Sequence, residues 1–429
     1  SAPNTLTAVE IARQIDGGSL TAEAVVRAHL DRIDKRDADV LAWSHLARDA
    51  ALAEARALDR GPRKGLLHGV PIGVKDIIDS YDQPTTYGSP IYKAHRPPAD
   101  AATVALAREQ GAILLGKTVT TEFANRTPGP TRNPHNGAHT PGGSSSGSAA
   151  AVADYQVTLA TGTQTGGSVI RPAAYCGVVG FKPSFGLFPP AGMHMNTDSL
   201  DTVGIMARSV ADIALFRAAM MADPHRAPVM PDRAPRLALC RTRLWDKAQP
   251  EGRAVLEAAA ARLAKAGAEI VESELPPACR DVSEVQRRHS AFEAPRNHAP
   301  ELYRHAALLS PDLLGEGRIA SGRRLSLDDF RTAWRDADTM RAAAREWARG
   351  FDAILTLPAA GEAPRGLANT GPAIFNALWT VLHLPCLTLP ADTGPSGLPV
   401  GIQLVGPRYR DAGLLDIGLW VERALGDRA

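Results

Sequence analysis

Residues 141–172 hold two clusters of glycine and serine that restrict the fold of this chain more than any other segment does. The first cluster reads GGSSSG (142–147) and the second reads GGS (166–168). Between them, residues 149–153 predict a short helix and residues 157–160 a strand. Glycine beside serine lets backbone N–H groups converge on a ligand. A flexible linker would lack the apolar segments between the clusters, so we expect an ordered site formed by the backbone.

A second segment, HGVPIGVKDIID (68–79), places a lysine inside an apolar predicted strand. Lysine is almost never fully buried without a partner, so Lys75 requires an explanation. A salt bridge with Asp76 or Asp79 is one explanation. A catalytic lysine is the other.

Together these segments resemble the amidase signature family, whose core pattern is GGSS-G-S, a spacer, and then G-D-GGS-x-R-x-P. Ser144 and Ser168 are 24 residues apart, like the two serines that the family uses in catalysis. The lysine segment matches the family's catalytic-lysine motif, and CGVVGFKPS (176–184) matches a further family segment. The resemblance covers nearly the whole chain, and it favours the catalytic explanation for Lys75.

Two positions depart from the family pattern. Gln164 stands where the family has an acid, and Arg171 is displaced from the family's position two residues after the nucleophile. Both lie in the loop beside the nucleophile, where they either alter the acyl pocket or only change its packing.

The resemblance implies a role for each residue of a Ser–cis-Ser–Lys triad. Ser168 would attack the substrate carbonyl, Ser144 would relay the proton, and Lys75 would act as the base. Lys75 must then be neutral, so Asp76 should point away from it, and the Gly143–Ser144 peptide bond should be cis. The oxyanion hole would consist of the backbone N–H groups of Thr165, Gly166, Gly167 and Ser168.

The implied function is hydrolysis of a C–N amide-type bond in an amide, anilide or carbamate, and of esters, through an acyl-enzyme on Ser168. No metal and no cofactor is expected. Few cationic residues can be identified as carboxylate anchors, so the sequence favours neutral, non-peptide linear substrates over charged amino acids. The alternative within the family is an A-type glutamine amidotransferase component that acts, with partners, on charged tRNA.

A nucleotide-binding protein is the alternative from another class, because Gly111 to Thr118 satisfy the phosphate-loop pattern G-x-x-x-x-G-K-[ST]. A helix precedes this stretch and its interior is strand-like, so we favour a strand. Residues 143–147 fit the nucleophile-elbow pattern around Ser145, but a turn precedes them where the elbow needs a strand. His135 and His139 are four residues apart in a non-helical segment, which argues against a metal site.

The expected fold class is α/β, with a mixed central β-sheet covered by helices on both faces. We expect one domain over residues 1–429, with a variable, mainly helical insertion around 225–350. Apolar runs at 353–355, 386–389 and 401–405 predict further strands.

Composition restricts the partners. The chain has 48 Lys and Arg against 46 Asp and Glu, so no basic field favours nucleic acid or a membrane surface. Its four cysteines are widely spaced, which is typical of reduced thiols and predicts a cytoplasmic protein. We therefore expect a small-molecule amide or carbamate substrate, no nucleic acid, no membrane, and a monomer or homodimer.

Overall fold

The computed structural model describes residues 2–222, 226–315 and 318–426, and the structural statements below concern these residues. Its centre is one mixed β-sheet of eleven strands. The strands are β1 (Trp43–Leu46), β2 (Pro71–Lys75), β3 (Ile113–Thr118), β4 (Leu159–Gln164), β5 (Val179–Lys182), β6 (Thr202–Ala207), β7 (Arg236–Leu239), β8 (Glu269–Glu272), β9 (Ala353–Thr356), β10 (Cys386–Thr393) and β11 (Pro399–Val405). Their order across the sheet is β1-β3-β2-β4-β6-β5-β10-β11-β9-β7-β8.

Helices connect most of the strands. They are α1 (Ala8–Asp16), α2 (Ala22–Val40), α3 (Arg48–Arg60), α4 (Ala102–Glu109), α5 (Ser146–Ala153), α6 (Ile170–Cys176), α7 (Val210–Met221), α8 (Pro250–Lys265), α9 (Val282–Asn297), α10 (Ala299–Arg304), α11 (Pro311–Leu314), α12 (Arg318–Gly322), α13 (Leu327–Ala348), α14 (Ile374–Val381) and α15 (Asp411–Leu425). Among these described helices, none is long and apolar enough to cross a membrane.

The sheet is covered on both faces. Alternate residues of a strand point to opposite faces, and in β9 Ala353 and Leu355 join one apolar cluster while Ile354 joins another. The first cluster includes residues of α1, α4, α7, α8 and α15. The opposite face is covered by α2, α3, α5 and α6 and by α9, α13 and α14. This arrangement confirms the predicted α/β fold with a mixed, doubly covered sheet.

Both glycine–serine clusters lead directly into short helices. The first precedes α5, where only glycine fits at position 147, because a Cβ there would lie 2.2 Å from the Ala42 carbonyl oxygen. The second connects β4 to α6. Strands β2 and β4 are parallel neighbours, with Ile72 opposite Leu159. Their carboxyl ends therefore meet at one edge of the sheet, which brings Lys75 beside the second cluster.

The segment predicted as a helical insertion has a mixed structure. Its predicted start at residue 225 lies outside the described residues. Strands β7 and β8 fall inside it and form one edge of the sheet, and α9 to α13 occupy most of 282–348. The division of the chain into a domain and an insertion stays a prediction.

The phosphate-loop pattern lies mostly in strand β3. Lys117, its lysine, is fully buried. Its ammonium group donates hydrogen bonds to the Ile78 carbonyl (2.7 Å) and the Thr85 hydroxyl (2.7 Å), and lies 3.3 Å from the Asp76 carboxylate. A lysine held inside the sheet in this way cannot reach a nucleotide phosphate, so this segment has a structural role.

Candidate active site

Lys75 lies at the end of β2 with its side chain fully buried. Its Nζ is 2.7 Å from Ser144 Oγ and 2.7 Å from Thr163 Oγ1. Asp76 instead binds Lys117 and the Thr86 hydroxyl (2.5 Å), so the expectation that Asp76 points away from Lys75 is confirmed.

Burial holds the pKa of Lys75 well below its usual value. The nearby charge of Asp201 opposes this lowering, and the charge of Arg171 adds to it. No carboxylate forms an ion pair with Lys75 in the part of the chain that the structure describes. The Lys75 side chain is therefore suited to act as a neutral amine.

The lowered pKa of Lys75 predicts how stability depends on pH. The pKa of lysine in the unfolded chain is about 10.4. Between the native pKa and that value the unfolded chain binds more protons than the native protein, so raising the pH stabilises the native state. Lys75→Met removes this contribution. Urea unfolding from about pH 7 to about pH 10 should show wild type gaining stability relative to Lys75→Met as the pH rises. The exposed Lys35→Met is the control, and a parallel pH dependence in wild type and Lys75→Met would refute the neutral lysine.

Ser144 and its neighbour Ser145 have different environments. The Gly143–Ser144 peptide bond is cis, as the resemblance predicts, and Ser144 is fully buried against Lys75. The Ser145 hydroxyl accepts a hydrogen bond from Thr163 N–H (3.2 Å) and lies 3.3 Å from the Thr163 carbonyl oxygen. Ser145 thus joins α5 to β4, which is a structural role and agrees with the rejection of the nucleophile elbow.

Ser168 is the member of the predicted triad that reaches a cavity. It is 9% exposed, whereas Lys75 and Ser144 are 0% exposed. Ser168 lines a cavity of about 780 Å³, together with Gly166 and Gly167. Ser145 N–H donates to the Ser168 carbonyl (3.3 Å), which ties the two glycine–serine clusters together. Ser168 is therefore open to a ligand, whereas Lys75 and Ser144 form a buried pair.

The turn that carries Ser168 presents unused backbone donors. Among the described residues, the N–H groups of Thr165, Gly166, Gly167 and Ser168 have no hydrogen-bond acceptor. Backbone N–H groups left unpaired inside a protein are rare. Successive free N–H groups beside a cavity form a concave site suited to an anion or an oxyanion.

The carbonyl groups of the same turn are all occupied. They are held by side-chain or backbone donors: Thr165 O by Gln286 Nε2 (3.0 Å), Gly166 O by the Thr380 hydroxyl (2.7 Å) and Gly167 O by Arg171 N–H (2.9 Å). The Thr165 hydroxyl donates to the buried Asp201 carboxylate (2.5 Å). These contacts fix the turn in one conformation before any ligand binds.

The two departures from the family pattern have separate effects. Gln164 Oε1 accepts hydrogen bonds from the N–H groups of Val169 (2.9 Å) and Ile170 (3.0 Å), and its Nε2 donates to Thr380 (3.1 Å). Gln164 therefore holds the start of α6 and does not enter the cavity. Arg171 does line the cavity.

Gly167 and Gly166 form a matched pair for testing the rigidity of the turn. A Cβ at Gly167 would lie 2.9 Å from Asn376 Nδ2, and Asn376 is fixed by hydrogen bonds to Pro358 (2.8 Å) and Gln403 (2.9 Å). A Cβ at Gly166 meets nothing closer than 3.5 Å. We expect Gly167→Ala to lower the free energy of unfolding by about 1–3 kcal/mol and Gly166→Ala by about 0.5 kcal/mol or less. Equal losses in urea unfolding would contradict this packing.

The histidines singled out by the sequence serve the fold. His135 Nε2 lies 2.8 Å from the Cys176 carbonyl oxygen, and His139 Nδ1 lies 2.8 Å from that of Ala363. The structure instead brings together a cluster that spacing did not indicate, His194, His298 and Glu301, whose ligand atoms lie within 4.8 Å of one another. The Tyr92 hydroxyl donates to the Glu301 carboxylate there (2.5 Å).

A sequence model of the Amidase family matches residues 24–415. The chain belongs to the amidase family. The amidase-family chain is 46% identical over 232 residues to the A component of the glutamyl-tRNA(Gln) amidotransferase of Acidothermus cellulolyticus. That match covers 52% of this chain and 46% of the relative, so the chain spans about half the length of that relative.

Other relatives of the amidase family match over their whole length. The A component of the glutamyl-tRNA(Gln) amidotransferase of Nitratidesulfovibrio vulgaris is 33% identical, over 99% of this chain and 98% of the relative. Among solved structures, the native peptide amidase from Stenotrophomonas maltophilia is 30% identical with a TM-score of 0.84, over 99% of this chain and 98% of that one. The family predicted from the motifs is thus confirmed.

Three residues around the cavity and its loop were not predicted as site residues from the sequence. Thr163 binds the Lys75 amine, Asp201 holds the Thr165 hydroxyl, and Arg318 lines the cavity. Thr163 lies inside the motif GTQTGGS, so its position was a usable signal. Arg318 lies in a segment without any motif, and only tertiary folding brings it to the cavity.

Proposed function

We propose that this protein hydrolyses a C–N amide-type bond through an acyl-enzyme on Ser168. The observation that carries the proposal is a buried, low-pKa Lys75 that lies 2.7 Å from the Ser144 hydroxyl, in a loop tied through Ser145 N–H to Ser168, which lines the cavity. Attack on an amide needs a nucleophile, a proton acceptor and donors for the oxyanion. The site offers each of them.

The three polar contacts of Lys75 Nζ are compatible with a neutral amine. A neutral amine has two N–H donors and one lone pair. Thr163 offers two acceptors to Lys75 Nζ, its hydroxyl at 2.7 Å and its carbonyl at 3.4 Å. The lone pair is then left for the hydroxyl proton of Ser144, at 2.7 Å. In this arrangement Ser144 Oγ can accept the proton of Ser168 as it gives its own proton to Lys75.

Acylation then proceeds in two steps. Ser168 Oγ forms a bond to the substrate carbonyl carbon while its proton passes through Ser144 to Lys75, and the carbonyl oxygen becomes an oxyanion near the free N–H groups of residues 165–168. The C–N bond breaks as the proton returns through Ser144 to the leaving nitrogen, which departs as an amine or ammonia. Water repeats the sequence on the acyl-enzyme and releases a carboxylic acid and Ser168. Each oxyanion donor is worth about 3–4 kcal/mol of transition-state stabilisation.

A second candidate function is that of the A component of a glutamine amidotransferase that acts on charged tRNA. It is favoured by the name of the full-length relative at 33% identity. The same serine chemistry would then release ammonia from glutamine, and partner proteins would supply the rest of the reaction. For the first candidate we propose a small-molecule amide or carbamate substrate, a monomer or homodimer, and a cytoplasmic location.

A panel of substrates tests the two candidates. Purified protein is incubated with aliphatic amides, aryl amides, carbamates, esters and glutamine, and the released amine or ammonia and acid are measured. We expect turnover of a simple amide by the protein alone. Hydrolysis of glutamine and of no other substrate, and only when amidotransferase partners are added, would favour the second candidate. No turnover of any of these classes would contradict both.

A further inference from the structure

The cavity above Ser168 is lined by more positive than negative side chains. Among the described lining residues, the arginines are Arg126, Arg171, Arg287 and Arg318, and the carboxylate is Glu284. Glu284 already binds Arg287 (2.7 Å) and Arg288 (3.0 Å). Within the described chain, Arg126, Arg171 and Arg318 form no ion pair with a carboxylate. Three guanidinium groups at one cavity therefore lack a contacting counter-charge.

Arg171 and Arg318 also have unused hydrogen-bond donors. Arg171 is 5% exposed, and its Nη2 donates to the Gly143 carbonyl (2.6 Å) and the Thr370 hydroxyl (3.3 Å). Among the described residues, its Nε is buried with no acceptor, and so is Nη1 of Arg318. Charged donors left unpaired inside a protein cost free energy. The arrangement of the two side chains therefore favours a ligand that provides an acceptor.

The charges of these arginines act on one another. Burial lowers the pKa of Arg171 to about 10, and the charge of Arg318 lowers it as well. Burial and the charge of Arg126 likewise lower the pKa of Arg318, while Asp201 raises it. Asp201 is already occupied by the Thr165 hydroxyl and two backbone N–H groups. An anion placed between the arginines would relieve this repulsion.

Arg171 lies beside the segments that carry Ser168 and Ser144. Arg171 is the third residue after Ser168, in the first turn of α6, and it contacts the carbonyl oxygen of Gly143, the residue that precedes Ser144. The planar guanidinium matches a carboxylate through two parallel hydrogen bonds. An anionic group bound here would stand beside the scissile carbonyl, so it would belong to the substrate itself.

We propose that the cavity selects small amides that carry a free carboxylate near the scissile bond, held by Arg171 with Arg318. This inference rests on the proposed function. It replaces the expectation of neutral substrates, which the sequence favoured because no anchor could be identified. The site should also disfavour zwitterionic amino acids that carry an amide. The lining carboxylate Glu284 is already paired, so it offers little to a substrate ammonium.

Binding to Ser168→Ala protein tests the inference without turnover. The probes are three- to five-carbon dicarboxylic monoamides and their neutral diamides, with asparagine and glutamine as the amino-acid counterparts of the four- and five-carbon monoamides. Calorimetry should give at least about 30-fold tighter binding of a monoamide than of its diamide, and tighter binding than of its amino-acid counterpart. Equal affinities within each set would overturn the inference.

Second substitutions assign the preference to particular arginines. Adding Arg171→Gln should lower the ratio of monoamide to diamide affinity at least about 10-fold, and Arg171→Lys should restore part of it. Adding Arg318→Gln should lower the same ratio, which keeps the test valid if Arg171→Gln does not fold. Arg335→Gln removes the same charge from an exposed helix position outside the cavity lining and should not change the ratio. A ratio unchanged by both Arg171→Gln and Arg318→Gln would overturn the assignment.

Turnover by wild type separates the two proposals. If monoamides bind selectively but no amide is hydrolysed, the carboxylate site stands and the proposed function fails. If diamides and monoamides are hydrolysed at equal rates, the proposed function stands and the carboxylate site fails.

Discussion

Ser168→Ala is expected to lower amide turnover by about 10⁴- to 10⁶-fold while leaving the fold intact. The substitution removes the nucleophile and with it the covalent step, but the Ser168 side chain makes no hydrogen bond to another described side chain that the fold would lose. Steady-state rates with the best substrate of the panel measure the loss, and urea unfolding checks that stability is retained.

Ser145→Ala is the matched control for Ser168→Ala. Ser145 is fully buried and holds Thr163, so its loss should cost about 1 kcal/mol of stability and leave substantial activity. An inactive Ser145→Ala protein beside an active Ser168→Ala protein would show that the nucleophile had been assigned to the wrong cluster.

Lys75→Ala is expected to slow amide hydrolysis far more than ester hydrolysis. A leaving amine must be protonated as the C–N bond breaks, whereas a phenoxide leaves with little proton donation. If Lys75 returns its proton through Ser144, its loss removes a general acid as well as a base. The ratio of amide to activated-ester rates should then fall by about 10²–10⁴ relative to wild type.

Ser144→Ala should lower the same ratio, because the proton relay passes through its hydroxyl, 2.7 Å from Lys75 Nζ. Matched amide and activated ester substrates with one acyl group give the comparison. A ratio that stays constant in wild type, Lys75→Ala and Ser144→Ala would leave Lys75 as a structural lysine only.

The strands and helices of the fold could be read from local patterns. The apolar runs 386–389 and 401–405 fall in β10 and β11, and the predicted helix 149–153 falls in α5. The order of the strands could not be read, because pairs such as β5 with β10 join residues about 200 positions apart, Phe181 and Leu387. Such pairing depends on which buried faces fit together, and hydrophobic periodicity carries no information about it.

The candidate site was predictable to the extent that its residues lie in short motifs. The neighbourhood of Lys75 and Ser144 follows from the resemblance, and the geometry agrees with it. The charge of the cavity did not follow, because Arg318 comes from a segment without any motif and Arg171 enters the cavity only through the turn of α6. Sequence alone therefore indicated a chemistry, but it favoured neutral substrates because the arginines of the cavity could not be identified as anchors.

The most direct test of the account is to identify the acylated residue. Wild-type protein is mixed with an activated acetyl ester, quenched in acid during the first turnover, digested and analysed by mass spectrometry. The account predicts one acetyl group per protein, located on Ser168 by fragmentation of its peptide, and none in Ser168→Ala protein. Acetylation of Ser145, or turnover without any acylated serine, would contradict it.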